Sequence, residues 1–247
     1  MYTLMAVAGI LVSGAYLCRS ARRRGMDDND AIILGLIVCI GIFFGGHLLY
    51  ALVNFPTLPN LFRQTSWRGL LEALRISFSG SVFYGGLGGG IAAAALDRKL
   101  RNKPFAPYAD LMAPAAPLFH AFARVGCFLG GCCYGIPCPV GFVYTHSLTP
   151  AADGVRRFPV QLLEAAFELA LFWLLHRLSR HTKWQGALLP LYLLLYAAFR
   201  FGDEFLRGDG VRGIFWGLST SQWISIGVFL CSAVLLLRHK HRQTADL

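Results

Sequence analysis

The chain has 247 residues, of which 55% are hydrophobic and only 15% are charged, and its mean hydropathy is +0.52. A soluble domain carries roughly 25% charged residues, so the composition excludes an ordinary water-soluble protein and indicates a helical membrane protein. The net charge of +10 does not indicate nucleic-acid binding, because the basic residues are grouped in short segments between apolar runs. That grouping is typical of membrane topology.

Apolar runs long enough to cross a bilayer, about 20 residues each, occur seven times along the chain. They cover about 2–18, 31–53, 79–96, 108 into the glycine-rich stretch before 135, 160–178, 186–205 and 219–237. We therefore predict an all-α fold: a polytopic membrane protein with seven transmembrane helices in a single domain over residues 1–247.

The orientation of these spans follows from the distribution of lysine and arginine. Fourteen basic residues lie in the segments on one side of the predicted bundle and seven in the segments on the other side. Cytoplasmic segments carry the excess of basic residues. The N-terminus is therefore expected outside and the C-terminus in the cytoplasm.

The two long segments on the outer side have different compositions. Residues 54–78 contain Trp67 and Arg68 and are expected to lie along the membrane interface as a short amphipathic piece. Residues 136–158 contain three prolines and several β-forming residues. They predict a small irregular or β-like extracytoplasmic cap.

The fourth predicted span ends in His120-Ala-Phe-Ala-Arg-Val-Gly-Cys-Phe-Leu-Gly-Gly-Cys-Cys-Tyr-Gly135, which places Arg124 at membrane depth. A charged residue there costs about 2.5–3.5 kcal/mol on insertion scales and is a functional-site hypothesis by default. Closely spaced glycines such as Gly126 let a ligand or another backbone approach closely. The stretch therefore predicts a polar pocket for an anion within a membrane bundle.

Other polar residues are predicted toward the outer halves of the fourth to sixth spans. Gln161 shares a helix face with Glu164, and Arg200 can pair with Glu204 one turn further on. One interpretation is a set of structural ion pairs that hold the bundle together. The other is a phosphate site, because the guanidinium forks of Arg124 and Arg200 suit a phosphodiester.

Two further stretches allow a structural or a functional interpretation. The glycines that follow Phe83 either pack tightly against another helix or make room for a lipid headgroup at Gly85 and Gly86, with Tyr84 facing the pocket. His47 is either a packed, hydrogen-bonded histidine or a ligand or base.

Four of the seven cysteines fall in one short segment, at positions Cys127, Cys132, Cys133 and Cys138. Their spacing does not give the two separated C-x-x-C pairs of a zinc site, so we expect no metal and no cofactor. A disulfide near the oxidising outer face is one alternative, and packing as small hydrophobic residues is the other.

Five short motifs, in order along nearly the whole chain, resemble those of the prolipoprotein diacylglyceryl transferase family. Phe83-Tyr-Gly-Gly86 is similar to its F-H-G-G, and the stretch from Arg124 to Gly135 is similar to its signature R-(I/V)-G-N-F-x-N-G-E-x-x-G. The third motif, Phe158-Pro-Val-Gln-Leu-Leu-Glu164, is similar to H-P-x-Q-L-Y-E. The fourth, Tyr196-Ala-Ala-Phe-Arg-Phe-Gly-Asp-Glu-Phe-Leu-Arg-Gly-Asp209, is similar to Y-x-x-x-R-F-x-x-E-F-x-R-x-x-D. The fifth, Gly217-Leu-Ser-Thr-Ser-Gln-Trp-Ile-Ser225, is similar to G-(L/M)-(T/S)-x-(G/S)-Q-x-x-S.

The resemblance implies a reaction, its partners and a location. The diacylglyceryl group of phosphatidylglycerol passes to the lipobox cysteine thiol of a prolipoprotein, glycerol 1-phosphate leaves and a thioether forms. The implied partners are phosphatidylglycerol, a prolipoprotein signal peptide or other membrane acceptor, and the lipid bilayer, with no nucleic acid. The implied location is the bacterial cytoplasmic (inner) membrane.

The resemblance also implies roles for individual residues. Arg124 and Arg200 match the two essential arginines of the family, and we expect them to act in catalysis together with Tyr84 and Glu204. The expected substrate-binding residues are Gly85, Gly86, Gly126, Gln161, Glu164, Arg207 and His47.

The chain departs from the family motifs on the side that handles protons. Tyr84 and Phe158 replace histidines, Cys127 and Cys132 replace asparagine and glutamate, and His47 stands where the family usually has arginine. The residues expected to bind phosphate are retained. The alternatives are a transferase with another outer-leaflet acceptor, a non-catalytic lipid-binding protein, and a thiol redox protein that uses the adjacent cysteine pair.

Overall fold

A computed structural model describes residues 1–53, 66–77, 80–209 and 214–245. The described chain is mostly helical. Its helices are α1 (Tyr2–Arg23), α2 (Asp28–Val53), α3 (Trp67–Ser77), α4 (Phe83–Leu100), α5 (Phe105–Met112), α6 (Ala115–Gly130), α7 (Val160–Leu178), α8 (Leu188–Asp203) and α9 (Thr220–Ala245). Its strands are β1 (Pro137–Val143), β2 (Arg156–Arg157), β3 (Ile214–Phe215) and β4 (Leu218–Ser219).

Several of these helices have the length and composition of membrane spans. Within the described residues, four segments qualify: Tyr2–Arg23, Asp28–Val53, Phe105–Gly130 and Thr220–Gln243. The helices α4, α7 and α8 coincide in position with the other three predicted spans. The expected class, a helical membrane protein, therefore agrees with the described helices.

The observed helix ends differ from the predicted ones by a few residues, and one predicted span is divided. The fourth span becomes α5 and α6, because Pro114 has no N–H group and its ring hinders a continuous helix. Helix α4 continues to Leu100, four residues beyond the predicted end. Arg98, which is beyond the predicted end of this span, therefore lies inside the helix.

The described chain divides into two compact units. Unit 1 comprises Met1–Met26 and Ala106–Leu247, and unit 2 comprises Asp27–Phe105. In unit 1, α1 packs on α6, α6 on α7, and α8 on α9. In unit 2, α2 and α4 form the main packed pair.

Helix α7 shows how unit 1 differs from a soluble bundle. Gln161, Glu164 and Glu168 lie three and four residues apart and are almost completely buried. Leu163 and Leu174, on another face of the same helix, are exposed. Side chains three or four apart share a helix face, so the polar stripe is inside and the apolar one outside, as suits a helix surrounded by lipid.

Unit 2 depends on a close approach of α2 and α4. A Cβ atom added at Gly85 would overlap the carbonyl oxygen of Gly45, and one added at Gly89 would overlap the carbonyl oxygen of Gly41. Only glycine lets two helix backbones lie this close. The packing interpretation of the glycine-rich start of α4 is therefore observed.

The two long outer segments of the prediction form a helix and a small sheet. In the first, Trp67 is exposed at the start of α3, and residues 54–65 lie outside the described residues. In the second, β1 pairs antiparallel with β2, with Val143 opposite Arg156. Residues 136–158 thus contain the predicted β-like element.

Candidate active site

Three helices of unit 1 bring buried polar side chains together. Helix α6 buries His120 and Arg124, α7 buries Glu164, and α8 buries Arg200. Arg124 Nε lies 3.0 Å from Glu164 Oε2, so a residue predicted for catalysis contacts one predicted for substrate binding. Glu164, which is fully buried, is the centre of the cluster.

Arg124 is oriented through a histidine. Its Nε also donates to His120 Nε2 at 3.1 Å, and His120 Nδ1 lies 2.7 Å from Glu168 Oε1. Because Nε2 accepts a hydrogen bond, Nδ1 must carry the proton that it donates to the carboxylate. A single imidazole therefore connects Arg124 to a second buried acid.

The terminal nitrogens of Arg124 remain available. Among the described residues, neither Nη1 nor Nη2 has a hydrogen-bond or ion-pair partner, although the residue is only 7% exposed. A buried guanidinium whose donors are unsatisfied costs free energy. Its two parallel donors match two oxygens of a phosphate or carboxylate, so the arrangement can bind an anion.

Arg200 is instead paired with acids of its own segment. Its Nη1 donates to Asp203 Oδ2 and its Nη2 to Glu204 Oε2, both at 2.5 Å. The predicted pair with Glu204 therefore forms, although α8 ends at Asp203 and Glu204 begins a short 3-10 turn. Arg200 is also close enough to Glu164 to interact with it electrostatically.

Arg207 reaches the same carboxylate from a loop. Its Nη1 lies 3.9 Å from Glu164 Oε2, while Nε and Nη2 donate to the two oxygens of Asp209 at 3.0 and 2.8 Å. The loop is held by backbone pairing of Arg207 with Gly135. A Cβ added at Gly135 would overlap the Phe158 carbonyl oxygen, so this position requires glycine.

Gln161 connects the signature stretch to the start of α7. Its Nε2 donates to the Cys132 carbonyl oxygen at 2.8 Å and lies 3.4 Å from the Tyr144 hydroxyl oxygen. Burial raises the pKa of Tyr144, and the hydrogen bond from Gln161 opposes this effect. Gln161 Oε1 has no hydrogen-bond partner within the described ranges, so it can accept one from a substrate hydroxyl.

Gly126 lies two residues after Arg124 and faces α1. A Cβ added there would lie 3.1 Å from Met5 Cβ and 3.3 Å from atoms of Tyr2. The geometry gives Gly126 a part in helix packing next to the arginine, and a direct contact with substrate stays a prediction.

Four of the predicted site residues belong to unit 2. Tyr84 is buried, and Gly85 and Gly86 contact α2. His47 Nδ1 lies 2.7 Å from the Gly80 carbonyl oxygen and donates to it. The hydrogen-bonded alternative for His47 is thus observed, while substrate roles for these four residues stay predictions.

Sequence reasoning missed Glu168 and the hydroxyl of Tyr196. Glu168 follows Glu164 by four residues, so the helical period of α7 was a signal for it. Tyr196 donates to Glu164 Oε1 at 3.4 Å. That contact joins α8 to α7, and because the two residues are far apart in the sequence, no spacing pattern predicts it.

Comparisons with known proteins agree over nearly the whole chain. The family model described as prolipoprotein diacylglyceryl transferase matches residues 1–238. A phosphatidylglycerol–prolipoprotein diacylglyceryl transferase of Clostridium tetani is 34% identical over 236 residues, which cover 93% of this chain and 90% of the relative. The transferase of the same name from Geobacter sulfurreducens is 33% identical over 251 residues, which cover 97% of this chain and 91% of the relative. The phosphatidylglycerol–prolipoprotein diacylglyceryl transferase 2 of Clostridium perfringens is 31% identical over 242 residues, which cover 95% of this chain and 88% of the relative.

Proposed function

The chain belongs to the prolipoprotein diacylglyceryl transferase family, and from this premise we propose that it transfers the diacylglyceryl group of phosphatidylglycerol to the lipobox cysteine of a prolipoprotein. Relatives similar over most of their length carry this activity in their names. In the reaction, the bond between the glyceryl carbon and the phosphate oxygen breaks and a carbon–sulfur bond forms. Glycerol 1-phosphate leaves with the electron pair of the broken bond.

The observation that supports this proposal most strongly is the open guanidinium of Arg124. Negative charge grows on the leaving phosphate as its bond to carbon breaks. Donors that are already in place stabilise such charge without reorganisation. Arg124 is held at Nε by Glu164 and His120, so its two Nη groups are oriented in advance.

The neighbouring side chains have complementary roles in this proposal. Arg200 makes the second contact to the phosphate, with Glu204 holding it in place. Arg207 adds positive charge near Glu164. Gln161 Oε1 accepts a hydrogen bond from a hydroxyl of the glycerol headgroup.

The acceptor side of the reaction must remove a proton from the thiol. Tyr84 stands at the position where the family motif has histidine, and we assign this step to it. His47, Gly85 and Gly86 keep the substrate-binding roles inferred from the motifs. Replacing Tyr84 with phenylalanine removes only the hydroxyl and is the direct test of the assignment.

We also propose the finer topology: seven transmembrane helices in a single domain, with the N-terminus outside, the C-terminus in the cytoplasm and residues 136–158 as the extracytoplasmic cap. Single cysteines introduced at Arg22 and His239 should resist an impermeant maleimide applied from outside, and one at Arg156 should react. Labelling of position 22 from outside would reverse the orientation. Arg63, the second position expected outside, lies beyond the described ranges.

Complementation tests the proposed function in cells. Expression of the chain in a strain depleted of its own prolipoprotein transferase should restore growth and thioether-modified lipoprotein. The Arg124→Ala variant, expressed to the same level, should restore neither. Failure of the unchanged chain to restore modified lipoprotein would contradict the prolipoprotein as acceptor.

A transferase with a different outer-leaflet acceptor is the second candidate. The observation that favours it is the replacement of motif residues at Tyr84, Cys127, Cys132 and Phe158, while Arg124 and Arg200 are retained. Purified protein in detergent, labelled phosphatidylglycerol and a lipobox peptide separate the candidates. Release of glycerol 1-phosphate only after a membrane extract is added, with the diacylglyceryl label recovered on a molecule other than the peptide, indicates another acceptor, and no release with either peptide or extract indicates a non-catalytic lipid-binding protein.

A further inference from the structure

A cluster of three thiols lies where α6 ends. The Sγ atoms of Cys127, Cys132 and Cys133 all lie within 4.8 Å of one another, and each cysteine is free. Within the described ranges, no other three cysteine, histidine or acidic side chains lie this close together. We propose that these three cysteines bind one soft monovalent metal ion, for which Cu(I) is the best-fitting candidate.

The first two thiols are brought together by the way α6 terminates. Gly131 adopts a left-handed conformation with φ of 68°, its N–H bonds to the Phe128 carbonyl, and the Cys132 N–H bonds to the Cys127 carbonyl at 3.1 Å. This is a Schellman motif, which brings the residue after the left-handed position back against the last turn of the helix. Spacing along the sequence does not show this contact, because it depends on the backbone reversal at Gly131.

The third thiol needs a less common backbone conformation. Cys133 has φ of 54°, in the left-handed region that residues other than glycine seldom occupy. Such a conformation costs free energy and persists when the surroundings hold it in place. Cys132 is fixed beside it by the hydrogen bond from Gln161 to its carbonyl oxygen. The end of α6 and the two residues after Gly131 therefore bring the three cysteine side chains together.

The charges around the cluster suit thiolates bound to a monovalent ion. Three thiolates and one Cu(I) carry a net charge of −2. Arg124 is close enough to Cys127 and Cys133 to interact electrostatically, and so is Arg207 to Cys133. The two guanidinium groups attract that charge, and they share it with their acidic partners Glu164 and Asp209.

The number of donors favours a trigonal site. Three sulfurs at about 2.3 Å from one ion are roughly 4 Å apart, a spacing that lies within the observed limit of 4.8 Å. Zinc in structural sites takes four ligands, and Cys138, the next thiol along the chain, is not part of the group. Soft thiolate ligands select Cu(I), which accepts three.

Titration of the purified, reduced chain in detergent under anaerobic conditions tests the site. Cu(I) is supplied as its coloured complex with bathocuproine disulfonate, and loss of colour reports transfer to the protein. We expect one equivalent per chain, with X-ray absorption reporting three sulfur neighbours and no nitrogen. Cys127→Ser, Cys132→Ser and Cys133→Ser should each weaken binding by about a hundredfold or more, since even outer partners of a metal site contribute 10–100-fold.

The remaining cysteines supply matched controls. The triple variant Cys18→Ser, Cys39→Ser, Cys231→Ser removes as many thiols as the cluster contains and should still bind one equivalent of Cu(I). The single variant Cys138→Ser should do the same. Thermal unfolding without metal identifies which single variants are folded, and one folded variant from the cluster is enough for the comparison. Unchanged binding in that variant, or loss of the equivalent in the triple control, overturns the proposal.

Two other results would also contradict the proposed Cu(I) site. Tighter binding of Zn²⁺ than of Cu(I), with four ligands in the absorption spectrum, would replace the proposed ion. An intrachain disulfide among the three cysteines in the protein as isolated, found by mass spectrometry before reduction, would indicate a redox pair. Since metal binding is the readout, the test is independent of transferase activity.

Discussion

Two buried arginines, one in each unit, use their donors differently. In unit 2, Arg98 is fully buried and donates from Nε to Asp97 at 2.8 Å and from Nη1 and Nη2 to Asp30 at 2.6 and 3.2 Å. In unit 1, Arg124 is nearly as buried and uses only Nε, toward Glu164 and His120. All three nitrogens of Arg98 are occupied, whereas two nitrogens of Arg124 have no partner within the part of the chain that the structure describes.

The difference separates an ion-pair cluster from the cluster that we propose as the phosphate site. Arg101 and Lys103 also pair with Asp30, so every charged group of the Arg98 cluster, made of Asp30, Asp97, Arg98, Arg101 and Lys103, has an oppositely charged partner. A cluster whose buried arginine is paired at every nitrogen holds helices together. The Arg124 cluster, made of Arg124, His120, Glu164, Glu168 and Arg207, is held rigidly from one side and is open on the other. For the Arg124 cluster the phosphate site stays a prediction, and the Arg98 cluster is a separate set of ion pairs in unit 2.

The largest expected effect is on activity in the open cluster. Arg124→Lys keeps the charge but loses the two-pronged donor, so we expect turnover to fall roughly a hundred- to a thousandfold, about 3–4 kcal/mol in the transition state. Arg200→Lys should lose most activity for the same reason. Turnover of purified variants with phosphatidylglycerol and an acceptor peptide measures both. Near-normal rates for both lysine variants would make these arginines structural partners only.

The next effect is on stability in the Arg98 cluster. Arg98→Ala leaves two buried carboxylates without their main partner, and breaking a buried pair from one side costs about 3 kcal/mol or more. We expect a Tm in detergent lower by roughly 10 °C. Activity per folded molecule should be unchanged, since Arg98 binds no substrate. A variant of normal Tm but low turnover would reverse the assignment of the two clusters.

A smaller effect is expected where the open cluster is supported from behind. His120→Ala removes the link from Glu168 to Arg124, and a hydrogen bond involving a charged group contributes about 1.5 kcal/mol, so kcat should fall about tenfold. His120→Asn, which can still accept from Arg124, should recover part of the loss. Equal losses in kcat and in Tm for both variants would indicate a packing role instead.

The smallest effect is expected at Glu204. Glu204→Gln removes one of two acids that hold Arg200, while Asp203 keeps the other contact. We expect a loss of about two- to fivefold, below 1 kcal/mol. The double variant with Asp203→Asn should lose substantially more, and a double variant no worse than the single would show that these acids do not position Arg200.

The predictable part of the fold and site is the part that follows from local spacing. The span 160–178 was reproduced as α7, since its apolar run has clear ends at Pro159 and at the basic residues that follow. The Arg200–Glu204 pair and the shared face of Gln161 and Glu164 follow from 3.6 residues per turn. The end of α4 was misplaced, because a helix can continue through charged residues when a partner such as Asp30 is available.

The amino-acid sequence by itself determined the class of the protein, its apolar spans, the arginines at membrane depth and the family motifs. Each of these depends on composition or on residues within a turn or two of one another. Only the tertiary structure decided that Arg207 reaches Glu164, that His120 joins Arg124 to Glu168, and that three thiols meet at the end of α6. These contacts join residues through close backbone approaches and a chain reversal, whose geometry arises only when the helices pack.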